Sequence, residues 1–237
     1  MIQNKYTAVL LDLDGTLLDI DLDRFIKAYV KALSARFTDL IDPETFTRHL
    51  FRSTSAMVKN FDPAKSNREV FYEDFCRRIG CSLAEIEPII EDFYKNDFPR
   101  LSRWGRKLPH AAEVVETVRG KNLPLVLATN PIFPPAAIKH RLTWAGLGAG
   151  QFDLITTMDN MHFCKPNPDY YREIAAKINC APQQCLMAGN DTLEDLVAAR
   201  AGMDTYLVED YILHRHNIKP VYNYRGSLAR LAEFLQA

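Results

Sequence analysis

Residues 6–19, YTAVLLDLDGTLLD, open with an apolar run, Ala8 to Leu13, that is broken by a single charged side chain and followed by an acid, a glycine and a threonine. A run this short, bounded by turn residues, predicts a buried parallel strand. Residues 21–101 show no such run. They carry apolar positions three and four apart in four successive segments, which predict four helices. Leu22, Phe25, Ile26, Tyr29, Val30 and Leu33 mark the first. Asp42 before Pro43 heads the second, with proline where its missing N–H costs nothing. Ser66 with Glu69 and Ser82 with Glu85 have the spacing of capping boxes for the third and fourth, and Gly80 suits the end of the third. Residues 97–109 contain Pro99, Gly105 and Pro109, and predict an irregular return linker.

From Pro109 onward helical and strand-like segments alternate. Apolar runs at 123–130, 152–159, 185–191 and 204–209 are separated by amphipathic stretches, and RGSLARLAEFLQA closes the chain as a helix. This alternation predicts an α/β fold, a parallel sheet covered by helices on both faces, interrupted after its first strand by a helical insertion. Right-handed crossovers place the carboxyl ends of all these strands along one edge.

Composition narrows the classes of partner. The chain has 237 residues, enough for one large domain or a core with a moderate insertion, and at 47% hydrophobic and 25% charged it has ample material to bury. The net charge of −1, with its cations scattered, gives no field for nucleic acid or an anionic membrane, so a small-molecule partner is expected. The oligomeric state, monomer or dimer, stays open. Five cysteines without a CxxC pair are expected to be reduced thiols, and the six histidines form no metal-type cluster. The first apolar run is too short to span a membrane and leads straight into acids, so a cytoplasmic protein is expected.

The polar residues at the strand ends carry the chemistry. Asp12 and Asp14, one residue apart, repel each other unless a cation relieves them, and hard oxygen ligands suit Mg²⁺. Thr129 and Asn130 end the second strand, where a hydroxyl and a backbone N–H can bind a phosphoryl oxygen. Lys165 precedes a helix opened by Asn167 and Pro168 and supplies a compact positive charge. Asp191 ends the fourth strand, with Asp195 one helical turn beyond it facing the same way.

DLDGT, Asp12 to Thr16, resembles the first motif of the haloacid dehalogenase-like superfamily. Thr129-Asn130, Lys165-Pro166 and the Asp191/Asp195 pair resemble its other three, in the same order along essentially the whole chain. The resemblance implies a Rossmann-like three-layer α/β/α core with a mainly parallel sheet, residues 1–19 and 102–237, and an inserted all-helical cap domain, residues 20–101. It implies Asp12 as a nucleophile that forms an aspartyl-phosphate and Asp14 as general acid and then base. It further implies Thr129 and Lys165 at the phosphoryl group, Mg²⁺ on Asp12, the backbone carbonyl of Asp14 and Asp191, and Asp195 in support of the metal. The last motif departs from the usual pattern, because Gly189-Asn190-Asp191 puts an amide directly after the glycine. Asp191 is preferred as the ligand, since a carboxylate offsets metal charge and an amide does not, with Asn190 as its alternative or support.

The dehalogenases lack the second aspartate, so Asp14 points to a Mg²⁺-dependent phosphatase acting on a small phosphorylated metabolite. A phosphomutase using the same residues is the alternative, and a protein that binds phosphorylated ligands without turnover is a second class. Substrate choice is expected in the insert. Between Thr45 and Phe61 no acid occurs, and Arg48, Arg52, Ser55 and Lys59 recur on one helix face. This basic stripe is expected to face the active site, with Arg52 binding substrate.

Overall fold

A computed structural model of the chain describes residues 5–214 and 220–237; His216 lies outside them. Its centre is β1 (Ala8–Leu11), every residue of which is buried. A six-stranded parallel sheet runs in the order β5 (Leu154–Ile155), β4 (Leu125–Leu127), β1, β6 (Cys185–Gly189), β7 (Asp204–Val208), β8 (Tyr224–Gly226). Successive side chains of a strand point to opposite faces, and this sorts the core into two layers. Val9, Leu11, Leu125, Leu127, Leu186 and Ala188 fall in one cluster, while Ala8, Leu10, Val126, Cys185 and Met187 fall in the other.

The insertion holds the four expected helices, α1 (Leu22–Ser34), α2 (Pro43–Val58), α3 (Asn67–Ile79) and α4 (Leu83–Asp92). Their ends follow the local sequence. The Asp42 carboxylate accepts the Thr45 N–H at 2.9 Å. Ser66 and Glu69 close a capping box, and Gly80 ends α3 at φ +73°, where a side chain would be strained. The core helices are α5 (Ala111–Gly120), α6 (Pro135–Ala145), α7 (Pro168–Lys177) and α8 (Leu228–Gln236). Among the described residues no helix is long and apolar enough to cross a membrane.

Three expectations need correction. Residues 97–109 are not irregular: Phe98–Trp104 is a 3₁₀ helix, and Gly105–Lys107 is a strand, β3, paired antiparallel with β2 (Leu18–Ile20). The two chain crossings into the insert thus form one ribbon, each strand three residues long and too short to show a period. Strand β8 escaped notice for the same reason. The segment after Asp191 is a turn followed by a 3₁₀ helix, Leu196–Ala201, because the Asp191 carboxylate takes the N–H groups of Leu193 and Glu194 at 2.8 and 3.0 Å and tightens the chain there.

The insert shares a core with the sheet. Phe25, Tyr29 and Phe98 from the insert side pack on Phe133 and Trp144, with ring centroids 5.4–6.2 Å apart in the contacts Phe25–Phe133, Tyr29–Phe133 and Phe98–Trp144, and Phe93 packs behind them on Tyr29 and Phe98. At the head of α3 the Asn67 and Arg68 N–H groups donate to the carbonyls of Met161 and Met158, both at 2.8 Å.

Candidate active site

Parallel strands end side by side, so the residues after β1, β4 and β6 are neighbours whatever their separation in sequence. Asp12, Asp14, Thr129, Asn130, Asn190, Asp191 and Asp195 all line one cavity of about 230 Å³ at that edge. Lys165 reaches it from the loop before α7. Its Nζ donates to Asp12 Oδ1 at 2.8 Å and Asp195 Oδ1 at 2.6 Å, and its side chain is 1% exposed.

Burial disfavours the charged form of this lysine, but Asp12 and Asp195 outweigh it and hold the ammonium well above its usual range. Burial and the neighbouring Asp12 push Asp195 up to about 7 against the pull of Lys165. Asp195 also accepts the Asp191 N–H at 2.8 Å through its other oxygen. Gly189 is required beside it, since a Cβ there would lie 2.2 Å from Asp195 Oδ2. Asp195 and Asp191 therefore do not act as a matched pair on one helix face. The first turns inward to the lysine and the second caps the following turn.

Asn190 is occupied elsewhere. Its Oδ1 accepts the Thr16 hydroxyl at 3.1 Å and its Nδ2 donates to the Tyr211 carbonyl at 2.6 Å. Gly15, at φ +79°, packs so closely on this amide that a Cβ would lie 2.2 Å from Nδ2. Asn190 thus ties the turn after β1 to the loop after β6. Thr129 is fixed through its carbonyl by the hydroxyls of Thr156 and Tyr170 at 2.7 and 2.8 Å. Asn130 donates to Glu194 Oε2 at 3.1 Å and leaves its own buried Oδ1 without a hydrogen bond.

Arg52 does not come to the site. It is exposed, as are Arg48, Ser55 and Lys59, because the side of α2 that carries Phe46, Leu50, Ser53 and Met57 is the one turned to the core. The basic stripe is a solvated face. Next to the polar cavity, behind Ile26, Ile132 and Phe133, lies an apolar cavity of about 100 Å³ that reaches into the insert.

One residue of this cavity has no counterpart among the sequence expectations. Arg141 of α6 lines the polar cavity, is buried to 1% exposure and pairs with the Asp14 carboxylate. Burial pulls its guanidinium down to about 10, with Asp12 opposing. A signal existed: Ala137, Ile138, Leu142 and Ala145 form the buried stripe of α6, and Arg141 stands in it where an apolar residue would be expected.

Among the described residues the cavity gathers the acids Asp12, Asp14, Asp191, Glu194 and Asp195 around the cations Lys165 and Arg141. That excess of carboxylate fits a divalent cation. Asp14 gives its carboxylate to Arg141, so Asp12 and Asp191, from adjacent strand ends, are the side chains suited to hold one. Among the described residues no three His, Cys, Asp or Glu side chains cluster tightly enough to hold a metal on their own.

A family model described as haloacid dehalogenase-like hydrolase matches residues 6–202. Pyrophosphatase PpaX of Bacillus velezensis is 23% identical over 205 residues, 86% of this chain and 84% of that protein. Phosphoglycolate phosphatase of Escherichia coli is 36% identical over 93 residues, a match that spans 39% of this chain and 35% of the relative. The crystal structure of a HAD phosphatase from Thermococcus onnurineus superposes with a TM-score of 0.59 over 97% of both chains at 18% identity, a likeness of fold.

Proposed function

The chain belongs to the haloacid dehalogenase-like hydrolases, and we propose that within them it hydrolyses small phosphate monoesters through an aspartyl-phosphate on Asp12. The observation that carries this reading is the buried lysine that bridges Asp12 and Asp195 in the cavity shared by Asp14, Thr129 and Asp191. Lys165 fixes one oxygen of Asp12 and leaves the other to attack phosphorus, while its charge offsets that of the phosphoryl group. Thr129 stands ready to hydrogen-bond a phosphoryl oxygen. Asp14 leaves Arg141, takes up a proton from solvent and donates it to the ester oxygen as the P–O bond breaks. It then takes a proton from the water that attacks phosphorus, which frees Asp12 and inorganic phosphate. Mg²⁺ on Asp12, Asp191 and the main-chain carbonyl of Asp14 would offset the remaining negative charge when bound.

Asp14 separates this chemistry from dehalogenation, in which no leaving oxygen needs a proton. The names of the two relatives, a pyrophosphatase and a phosphoglycolate phosphatase, favour phosphoryl substrates in the same direction. Substrate choice falls to the cap, residues 20–101, which supplies Leu22 and Ile26 to the cavity wall.

Mg²⁺-dependent release of p-nitrophenol from p-nitrophenyl phosphate tests the proposal. Asp12→Asn should lower it by at least about a thousandfold with unfolding little changed. Undiminished turnover in that variant would exclude Asp12 as nucleophile, and absence of hydrolysis across a panel of monoesters would leave a binding protein.

A further inference from the structure

Arg141 carries a full charge into a place where α6 otherwise buries hydrocarbon. The rings of Phe25 and Phe133 flank its guanidinium, with centroids 5.9 and 5.3 Å from Cζ. One terminal nitrogen meets Asp14, while the buried Nε has no partner. Across the contact, Asp14 Oδ1 is buried and has no partner either. A guanidinium and a carboxylate can close two parallel hydrogen bonds. This pair meets through one oxygen and leaves a polar atom over on each side, inside the cavity that holds Asp12.

We propose that Arg141 is a substrate-binding residue that grips an anionic group, carboxylate or phosphoryl, carried by the leaving group within a few bonds of the scissile oxygen. The inference rests on the role given to Asp14 above. If Asp14 serves the leaving oxygen, whatever its own ion-pair partner holds lies on the leaving-group side. Two planar oxygens offered to Arg141 satisfy the donor that Asp14 leaves unused. The aromatic walls keep water from competing for the guanidinium, and Phe25 belongs to the insert, so the cap helps to shape this subsite. A neutral alcohol at the same place would leave the buried charge with nothing new to bind.

The test compares phosphoglycolate with ethyl phosphate, which differ by a carboxylate in place of a methyl, and includes inorganic pyrophosphate as the phosphoryl arm. Binding is measured by calorimetry with Mg²⁺ on the full-length Asp12→Asn protein, which does not depend on turnover. Phosphoglycolate or pyrophosphate should bind at least about tenfold tighter than ethyl phosphate, and the tighter of the two identifies the anion. Adding Arg141→Gln should bring all three within about threefold, and Arg141→Lys should keep part of the preference. Equal affinities in the Asp12→Asn protein overturn the proposal even where the Arg141 variants fail to fold. So does a preference that survives Arg141→Gln, and so does an equal loss for all three ligands, the mark of a side chain that only props Asp14. Turnover of p-nitrophenyl phosphate without anion preference sinks this inference alone, whereas anion preference without turnover keeps Arg141 as an anion-binding residue and sinks the hydrolytic reading together with the leaving-group assignment that rests on it.

Discussion

The carboxyl edge of the sheet and the aromatic joint beneath the insert lie side by side and hold distant stretches of chain together by opposite means. In the joint, Phe25, Tyr29, Phe93, Phe98, Phe133 and Trp144 meet through ring contacts that need no particular partner, only area and shape. At the edge, Asp12, Lys165 and Asp195 meet through two hydrogen bonds between charges, and the two acids, which repel each other, are tolerable side by side only because the lysine lies between them. Apolar burial therefore loses strength by degrees when a group is removed. Polar burial leaves an uncompensated charge when its partner is removed, and the cost of that charge changes with pH.

Lys165→Met breaks this contrast where it is sharpest. It leaves Asp12 and Asp195 buried together, so hydrolysis should fall by at least about a thousandfold and stability by about 3–5 kcal/mol. The loss should depend on pH. Asp195, held at about 7 in the fold, binds its proton more tightly there than in the unfolded chain, so its contribution to stability is present below the ordinary carboxylate range and is lost as pH rises towards 7. Without Lys165 that decline extends to higher pH, and denaturant melts near about pH 5 and about pH 8 should differ more in the variant than in the native chain.

Phe98→Ala addresses the other region. The ring is fully buried and touches Phe25, Tyr29, Phe93, Tyr94, Phe133 and Trp144. Its removal should cost about 3–5 kcal/mol, with no comparable dependence on pH, since no charge is left unpaired. A melt as pH-sensitive as that of Lys165→Met would erase the distinction between the regions. The smallest effect is expected on the outer face of α2. Arg52→Glu should change stability by less than about 0.5 kcal/mol and KM by less than about twofold, because the side chain faces water and touches neither region. A large rise in KM would return the basic stripe to the site.

Much of this was legible in the chain. DLDGT, the alternating runs after Pro109 and the caps at Asp42, Ser66 and Gly80 are local patterns, and local patterns fix strands, turns and helix ends. Residue type favoured Asp191 over Asn190, and packing points the same way: Gly15, Thr16 and Tyr211 use up the amide, while Asp191 lines the cavity. Arg52 shows the converse. Its spacing located a helix face correctly, but a helix has two faces and only Phe46, Leu50 and Met57 show which one the core took.

Local pattern alone places five of the six strands of the main sheet, the helices between them and the polar residues at their carboxyl ends. Those depend on neighbours along the chain and on the two backbone periods. It takes the folded packing to put Lys165 between Asp12 and Asp195, to join both crossings into one ribbon through β2 and β3, and to turn Arg141 inward to meet Asp14. The reason is physical. The worth of a charge inside a protein is set by the partners that share its dehydration, and residues 12, 141, 165 and 195 become partners only once the sheet has closed.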